Sequence, residues 1–429
     1  MLNTLLLRYL SFLARAIIRR HTPYVIGVTG TVGKTTLTSY IASYLKLVCG
    51  EDTVGISPYL YNGEYGLPLT IIGARTGGKN PLLWIWIVLR AIWTYIHPYP
   101  RYLILEYGID HPWEMEYLVS IVKPDIALLS PVAPNHLEQF GTLERYRAAK
   151  LLLIESSKWS RIVHESLRQY ITSDHVLYYG QDEKSDAHIL STEQSIDSLH
   201  TIIASKGISY DIRLPSFGAY QAENILPLYL IANILDIDPL LIGKHTDLFV
   251  PEAGRSKILQ WIQGASIIDG SYNGGRESIC RGIDSLRPWA RTHRIICLLG
   301  DMRELGDHAE ATHRELAEYI STTLSGSGDV YLFLVGPLMR DYVYPMVKDI
   351  YTTESHLSSR EAGREIQKLI EWDPKPTLIY VKWSQNTIFL EEAIKEILLN
   401  SEDGSLLCRQ SEDWMKKKEE CFQTVEKIS

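Results

Sequence analysis

The chain has 429 residues, 45% hydrophobic and 22% charged, a globular composition with enough apolar material for two or three domains. Disordered and collagen-like chains are excluded. With 43 Lys and Arg against 51 Asp and Glu the net charge is −8, so no basic surplus marks a nucleic-acid binder. The five cysteines form no CxxC pair, which argues against a zinc ribbon or a disulfide framework and for a reducing, cytoplasmic setting.

Residues 1–23 read as a basic amphipathic helix. At 100° per residue Thr4, Arg8, Ser11, Arg15 and Arg19 share one stripe, and no acidic residue precedes Glu51. Two readings stand for it: a helix docked on the body of the protein, or one lying on an anionic membrane surface. A transit peptide has little room, because a core strand begins by Tyr24. The run at 82–96, LLWIWIVLRAIWTYI, is too short to cross about 30 Å of hydrocarbon, and Arg90 interrupts it. It reads first as a buried core helix. Its Trp84, Trp86, Trp93 and Tyr95 leave peripheral contact with the inner membrane face as the alternative.

The run at 24–29, YVIGVT, is a buried strand ending in a glycine-rich turn, and 34–47 follows as a helix. Further strands are expected at 102–106 and 125–130, with a helix at 112–122 between them. Strands alternating with helices imply an α/β fold, a parallel sheet covered on both faces. After Pro251-Glu252-Ala253-Gly254 a second set begins. Its strands are expected at 266–269, 294–300, 330–335 and 378–381, and its helices at 277–286 and 309–320. The chain thus divides into an N-terminal helix (1–23), a first domain (24–252), a second (253–400) and a charged tail (401–429). The tail's Lys416-Lys417-Lys418-Glu419-Glu420 run reads as a solvated helix.

The strongest local signal is Gly27-Val-Thr-Gly-Thr-Val-Gly-Lys-Thr-Thr36, set between that first strand and its helix. Backbone N–H groups in such a loop cradle phosphates, and the helix N-terminus adds a favourable dipole. Thr29, Gly30, Thr31, Gly33 and Thr36 would form the cradle. Lys34 would reach the β- and γ-phosphates of ATP, and the Thr35 hydroxyl would hold Mg²⁺. A strict GxxxxGK[ST] match fails, because Val28 stands at the first glycine position. Glu106 ends a buried strand at the edge where parallel sheets bind ligands. His136 follows the next strand, and Lys150 lies fourteen residues later. Taken singly, Glu106 reads more readily as a capping or paired carboxylate and His136 as a surface or loop histidine, and Lys150 has the alternative of an ordinary helix lysine paired with Glu144 or Glu155.

The order of segments decides more than any one of them. TGTVGKTT, LEYGIDHPWEM, KPDIALLSPVAPNHLEQFG, YRAAK, GAYQAENILPLYLIANIL and GRSKIL occur in the order found in the Mur ligases, and residues 25 to about 398 resemble that family. IIDGSYNGGRESI with LLGDMRELGDHAEATHREL is most similar to the branch that adds D-alanyl-D-alanine to a muramoyl-tripeptide. The resemblance implies a P-loop central ATPase domain followed by a Rossmann-like C-terminal domain. It implies ATP and Mg²⁺ as cofactors, a muramoyl-peptide acceptor and a D-amino dipeptide. Thr35 and Glu106 would hold one Mg²⁺; His136 and a carbamylated Lys150 would hold a second. Lys34 and Arg255 would meet the γ-phosphate, Asn224 the adenine, and Asp269 the nucleotide from the second domain. Asn273, Asp301 and Glu304 belong to segments near the substrate.

Three departures bear on the acceptor. Members of that branch carry a UDP-binding N-terminal domain, and the stretch ahead of Tyr24 is too short for one; weak dependence on the uridine moiety is therefore expected. The family's paired acidic residues before Ser-Tyr-Asn appear as Asp269-Gly270, and its Asn-Ala-Asn-Pro as Asn273-Gly-Gly-Arg276. The leading expectation is an ATP-dependent carboxylate–amine ligase of peptidoglycan-precursor synthesis working through an acyl phosphate. The alternatives are a related ligase with a poly-amino-acid or lipid-linked acceptor, and a nucleotide-binding, membrane-associated scaffold.

Overall fold

The computed structural model describes residues 2–57, 61–78, 80–134, 137–260, 265–326, 328–383, 387–398 and 400–426. The chain folds into two compact units. The first comprises Met1–Thr192, His200–Leu214 and Ala222–Phe249; the second comprises Glu193–Leu199, Pro215–Gln221 and Val250–Ser429. The change of unit at 249/250 lies close to the expected boundary at 252. The two short excursions of the chain into the second unit, 193–199 and 215–221, carry no mark in the sequence.

In the first unit, α1 (Leu2–His21) is followed by β1 (Tyr24–Thr29), α2 (Lys34–Cys49), β2 (Val54–Ile56), α3 (Gly66–Ile72) and α4 (Pro81–Ile96). Next come β3 (Tyr102–Glu106), α5 (Glu114–Ile121), β4 (Ile126–Leu129), α6 (Leu137–Phe140) and α7 (Leu143–Glu155). The strands β5 (Ser160–His164), β6 (Val176–Gly180), β7 (Ala187–Gln194), β8 (Leu199–Ser205) and β9 (Ile208–Leu214) precede α8 (Leu226–Leu235) and α9 (Leu240–Lys244). The nine strands form one sheet in the order β2-β3-β1-β4-β5-β6-β7-β8-β9. The first seven in that order pair in parallel. β8 and β9 meet across Lys206-Gly207, both at positive φ, the turn geometry that suits a hairpin's twist. The strands at 24–29 and 102–106 and the helices after them stand where they were expected. The five from β5 to β9 were not anticipated: β8 and β9 alternate more and less buried residues where the anticipated strands are continuous apolar runs.

β1 lies between β3 and β4, so the chain departs from it to both sides of the sheet. That is a topological switch point, and crevices form there at the carboxyl ends of the strands. The register places Val28 opposite Glu106 and Thr29 opposite Leu129. The phosphate-type loop, Glu106 and the segment after β4 are therefore neighbours at one edge.

α1 is docked. Leu10, Ala14 and Ile17 are buried in the same core as Leu67, Leu69 and Ile71 of α3 and Ile87 and Ala91 of α4. Ser11, read as part of the polar stripe, is buried, with its Oγ 2.7 Å from the Tyr117 hydroxyl. α4 departs from the expectation of a core helix. Its buried residues are Ile87, Ala91 and Thr94, and its opposite side is exposed. Among the described residues no helix is long and apolar enough to cross a membrane.

The second unit has a six-stranded sheet in the order β10-β11-β15-β12-β13-β14. Its elements are β10 (Lys257–Gln260), β11 (Ala265–Gly270), α10 (Arg276–Leu286), β12 (Arg294–Gly300), α11 (Ala309–Thr323) and β13 (Val330–Val335). They continue through α12 (Tyr344–Val347), β14 (Thr352–His356), α13 (Ser359–Trp372), β15 (Thr377–Lys382), α14 (Leu390–Ile397) and α15 (Glu412–Glu426). Only β10 runs antiparallel, to β11; the other pairings are parallel.

The charged run of the tail lies on helix α15, with Lys416, Lys417, Glu419 and Glu420 exposed as expected and Lys418 the exception. Lys418 on α15 is fully buried, its Nζ 3.1 Å from Glu391 Oε1 and 2.9 Å from Glu392 Oε1. Arg409, also buried, donates from Nη1 to the Ser271 carbonyl and lies 3.5 Å from Glu391 Oε2. A charge run reads as solvated because Lys is rarely buried; here two carboxylates on α14 supply the partners. Lys418→Ala removes the buried cation between the two carboxylates, which keep Arg409 at Glu391 and Lys395 at Glu392, and should destabilise the chain by about 1–3 kcal/mol. Exposed Lys416→Ala should change stability within about 0.5 kcal/mol. The urea midpoints of the intact chain compare the two.

Candidate active site

The loop after β1 is shaped by two glycines. Gly30 has φ +135°, and a Cβ there would sit 1.9 Å from Ser130 Oγ; Gly33 has φ +83°, and a Cβ would sit 2.6 Å from Asn224 Oδ1. Both backbone conformations and both contacts demand glycine. Gly33 is the N-cap of α2 and supplies no side-chain cap, and a helix N-terminus of this kind favours an anionic ligand. The loop is braced from the segment after β4. Thr31 and Val32 donate their N–H groups to the Pro131 carbonyl, and Thr31 Oγ1 donates to Ala133 O at 3.3 Å. Thr29 Oγ1 donates to Tyr107 O, fixing the end of β1 to the turn after β3. Lys34 Nζ donates to Thr31 O at 3.4 Å, arching over the loop. Thr36 is buried on α2.

Thr35 Oγ1 donates to Glu106 Oε2 at 3.0 Å, and Asn62 Nδ2 donates to Glu106 Oε1 at 3.0 Å. A hydroxyl and a carboxylate face one another at the head of the phosphate loop. Those hard oxygens suit Mg²⁺, which takes one or two carboxylates and completes its shell with phosphate and water. Ser130 Oγ is buried against Gly30 without a hydrogen-bond partner among the described residues. Such an orphan polar atom in a phosphate cradle fits a site built for a ligand.

Lys150 on α7 is fully buried, with its ammonium 4.5 Å above the Tyr146 ring. Burial holds its pKa well below the ordinary lysine value, and the charge of Lys34 pushes the same way against Glu106, Asp110 and Glu114. The neutral amine is therefore favoured. The surface reading, a lysine paired with Glu144 or Glu155, does not survive this burial. His136 lies outside the described residues. Ser130 and Tyr146 lie in segments that carry the resemblance but were given no role there, and Asn62 lies in none of them; each gains its place through chain neighbours from other elements.

Sequence-predicted residues of the second unit gather around β11 and β15. Asp269 is fully buried; its Oδ2 accepts from Gly254 N, and its Oδ1 from the N–H and Oγ of Ser271. Arg255 stacks over the Tyr272 ring at 4.3 Å. Asn273 Oδ1 accepts from Gly274 N, shaping its own turn. Asp301 stands apart from that group: its Oδ1 accepts from Met339 N at 2.8 Å, and burial pushes its pKa up to about 6. Glu304 adopts φ +62° in the loop after β12. Lys382 was not anticipated. It ends β15, runs beneath Gly270 and Gly274, and is buried. Its one available signal was a lysine closing an apolar strand, at the edge where parallel sheets bind ligands.

Burial and the nearby Arg255 bring the Lys382 pKa down to about 8, with Asp269 opposing. Between about pH 8 and the ordinary lysine value of 10.5 the unfolded chain holds a proton that the folded chain has released. Stability therefore rises with pH through that window and is lost as pH falls back through it. Urea midpoints of wild type and Lys382→Met, measured across that window, should converge upward for wild type and stay flat for the variant.

Comparison with known proteins adds to this geometry. The middle domain of Mur ligases matches residues 87–232. The UDP-N-acetylmuramoyl-tripeptide–D-alanyl-D-alanine ligase of Haemophilus influenzae is 28% identical over 318 residues, 72% of this chain and 64% of that protein. The chain thus spans less than two thirds of that relative's length. In fold it is similar to MurF from Acinetobacter baumannii (TM-score 0.74, 19% identity, 90% of this chain and 79% of that one). It is similar also to MurF from Thermotoga maritima in complex with ADP (TM-score 0.72, 22% identity, 91% and 83%). The folylpolyglutamate synthase of Mycobacterium tuberculosis shares the fold at TM-score 0.61 and 14% identity, covering 90% of this chain and 94% of that one. With its glycine-shaped phosphate loop, the facing Thr35 and Glu106, and the buried Lys150, the chain matches a Mur ligase middle domain over residues 87–232 and shares the Mur ligase fold.

Proposed function

We propose that this chain is an ATP-dependent carboxylate–amine ligase that joins D-alanyl-D-alanine to a muramoyl-peptide acceptor. The observation that carries the reading is the buried Thr35–Glu106 contact at the head of the phosphate loop, with the fully buried Lys150, its pKa pushed down by burial, on α7. A substrate carboxylate oxygen attacks the γ-phosphorus of ATP, giving an acyl phosphate and releasing ADP. The amine of the second substrate then attacks the acyl carbon, forms the C–N bond, loses a proton and expels phosphate. Such transfer depends on positioning and on neutralising the equatorial oxygens, so the chain's contribution is its cradle and its cations.

With the Thr31 and Val32 N–H groups taken by Pro131, the rest of the loop and the N-terminus of α2 would hold the phosphates, the Lys34 ammonium lying against the β- and γ-oxygens. Thr35 and Glu106 would hold one Mg²⁺; His136 and a carbamate on Lys150 would hold a second. Bound there, Mg²⁺ would supply positive charge to the phosphate oxygens. A neutral buried amine is the form of lysine that takes up CO₂, and the carbamate replaces an ammonium with anionic oxygen. Arg255, Asn224 and Asp269 keep the nucleotide roles that the resemblance implies, the side chain of Asn224 standing against the phosphate loop at Gly33.

A second reading keeps the chemistry and changes the acceptor. It is favoured by Asn273-Gly-Gly-Arg276, which departs from the family's Asn-Ala-Asn-Pro, and by the share of the folylpolyglutamate synthase chain that this chain covers. ADP and phosphate release across a panel of carboxylates, with and without amines, separates the two. Release that requires a muramoyl-peptide together with D-alanyl-D-alanine supports the first reading; release with a polyglutamyl acceptor alone supports the second. No amine-dependent release with any pair overturns both.

Two variants test the site. Lys34→Ala should lower ADP release by about 10²–10³, because it removes charge from the phosphate cradle; near-normal turnover would sink the loop assignment. Lys150→Ala should be nearly inactive, and short-chain carboxylic acids should restore part of its rate by filling the vacant anionic position. Full activity without added acid would reduce Lys150 to a packing residue.

A further inference from the structure

α4 carries apolar residues on both sides, and only one side is used by the fold. Ile87, Ala91 and Thr94 face the core. On the opposite side Leu82, Ile85, Trp86, Leu89, Trp93 and Ile96 recur at three- and four-residue spacing and are each 48–71% exposed. An apolar surface helix normally turns such a face inward, and a stripe of six large residues is far more than scattered exposure. The neighbouring helix continues the surface. α1 packs beside α4, with His21 Nε2 3.0 Å from Thr94 O, and Leu5, Tyr9 and Phe12 on α1 are exposed at the same spacing.

Charge says what covers this surface. Residues 1–50 hold six Lys and Arg and residues 65–105 hold four, with no Asp or Glu in either stretch, inside a chain of net charge −8. Arg8, Arg19 and Arg20 are exposed on α1 beside its apolar residues. A second copy meeting this face about a two-fold axis would set these arginines against their own equivalents. An anionic surface pairs with them instead. Trp and Tyr with apolar bodies and polar tips suit the headgroup level of a bilayer, and a helix of this length lies in that plane without crossing it.

We propose that α4 and α1 form a peripheral docking face for an anionic lipid bilayer, with the outward residues of α4 entering the headgroup–acyl boundary and Arg8, Arg19 and Arg20 meeting lipid phosphates. The inference stands apart from the identity of the ligase substrates, since it uses no residue of the phosphate loop. The full chain is mixed with vesicles of phosphatidylcholine alone or enriched in phosphatidylglycerol and floated on a density gradient. The chain should rise with the anionic vesicles, and added salt should weaken the binding.

Trp86→Glu with Leu89→Glu should lower the vesicle-bound fraction about tenfold or more. Arg8→Gln with Arg19→Gln and Arg20→Gln should reduce the preference for anionic over neutral vesicles by a similar factor. Both sets lie on exposed positions, and circular dichroism of the variants verifies the fold. Failure of the wild type to float with anionic vesicles overturns the proposal. So does unchanged flotation of the Trp86, Leu89 variant. A dimer in sedimentation that the same variant abolishes, without vesicle binding by the wild type, assigns the face to a second copy instead.

Discussion

The parallel pairing of β1 with β3 on one side and β4 on the other is the constraint on which the first unit depends. It brings three strand ends to one edge of the sheet, and the chain after each end must turn there. The phosphate loop, the Glu106 carboxylate and the Ser130–Ala133 segment thus become neighbours although about a hundred residues separate the first from the last. The hydrogen bond from Thr35 to Glu106 then ties the start of α2 to the end of β3. Glycine is required at positions 30 and 33 because Ser130 and Asn224 occupy the space that any Cβ would take. Loop geometry and site chemistry here are one arrangement.

Dryness sets the electrostatics of both units. Lys150 sits where water cannot stabilise its ammonium, and the charge of Lys34 opposes it as well. Removing water strengthens each remaining interaction, so a neutral amine and a hard-oxygen pair can coexist close together. The second unit repeats the theme with Lys382, buried beneath Gly270 and Gly274 near Arg255 and Asp269. In the same unit Lys418 and Arg409 are buried against carboxylates, Glu391 meeting both and Glu392 meeting Lys418.

α1 and α4 show how one helix can serve two environments. Small or narrow side chains, Ala14 on α1 and Ala91 on α4, allow close approach to the core. The large aromatic and branched residues of α4 are left on the other side. Hydropathy summed along the helix hides this division, because the total is the same whichever side is covered.

The sequence by itself determined the class of the fold and the reactive loop. Continuous apolar runs such as 24–29 and 294–300 can only be strands buried on both faces, and a glycine-rich turn between strand and helix has few uses other than phosphate binding. Motif order carried the family, because no single carboxylate or lysine does. Tertiary structure decided what spacing leaves open. The strands from β5 to β9 lack the continuous apolar runs of β1 and β12; β8 and β9 alternate more and less buried residues instead, and sheet pairing establishes them. Lys382 and Lys418 look like surface lysines until β11, β15 and α14 close around them. Ser130 and Asn62 acquire their positions only when β3 and β4 pair beside β1. Local pattern records which face of an element is apolar; which neighbour covers it is a property of the assembled sheet.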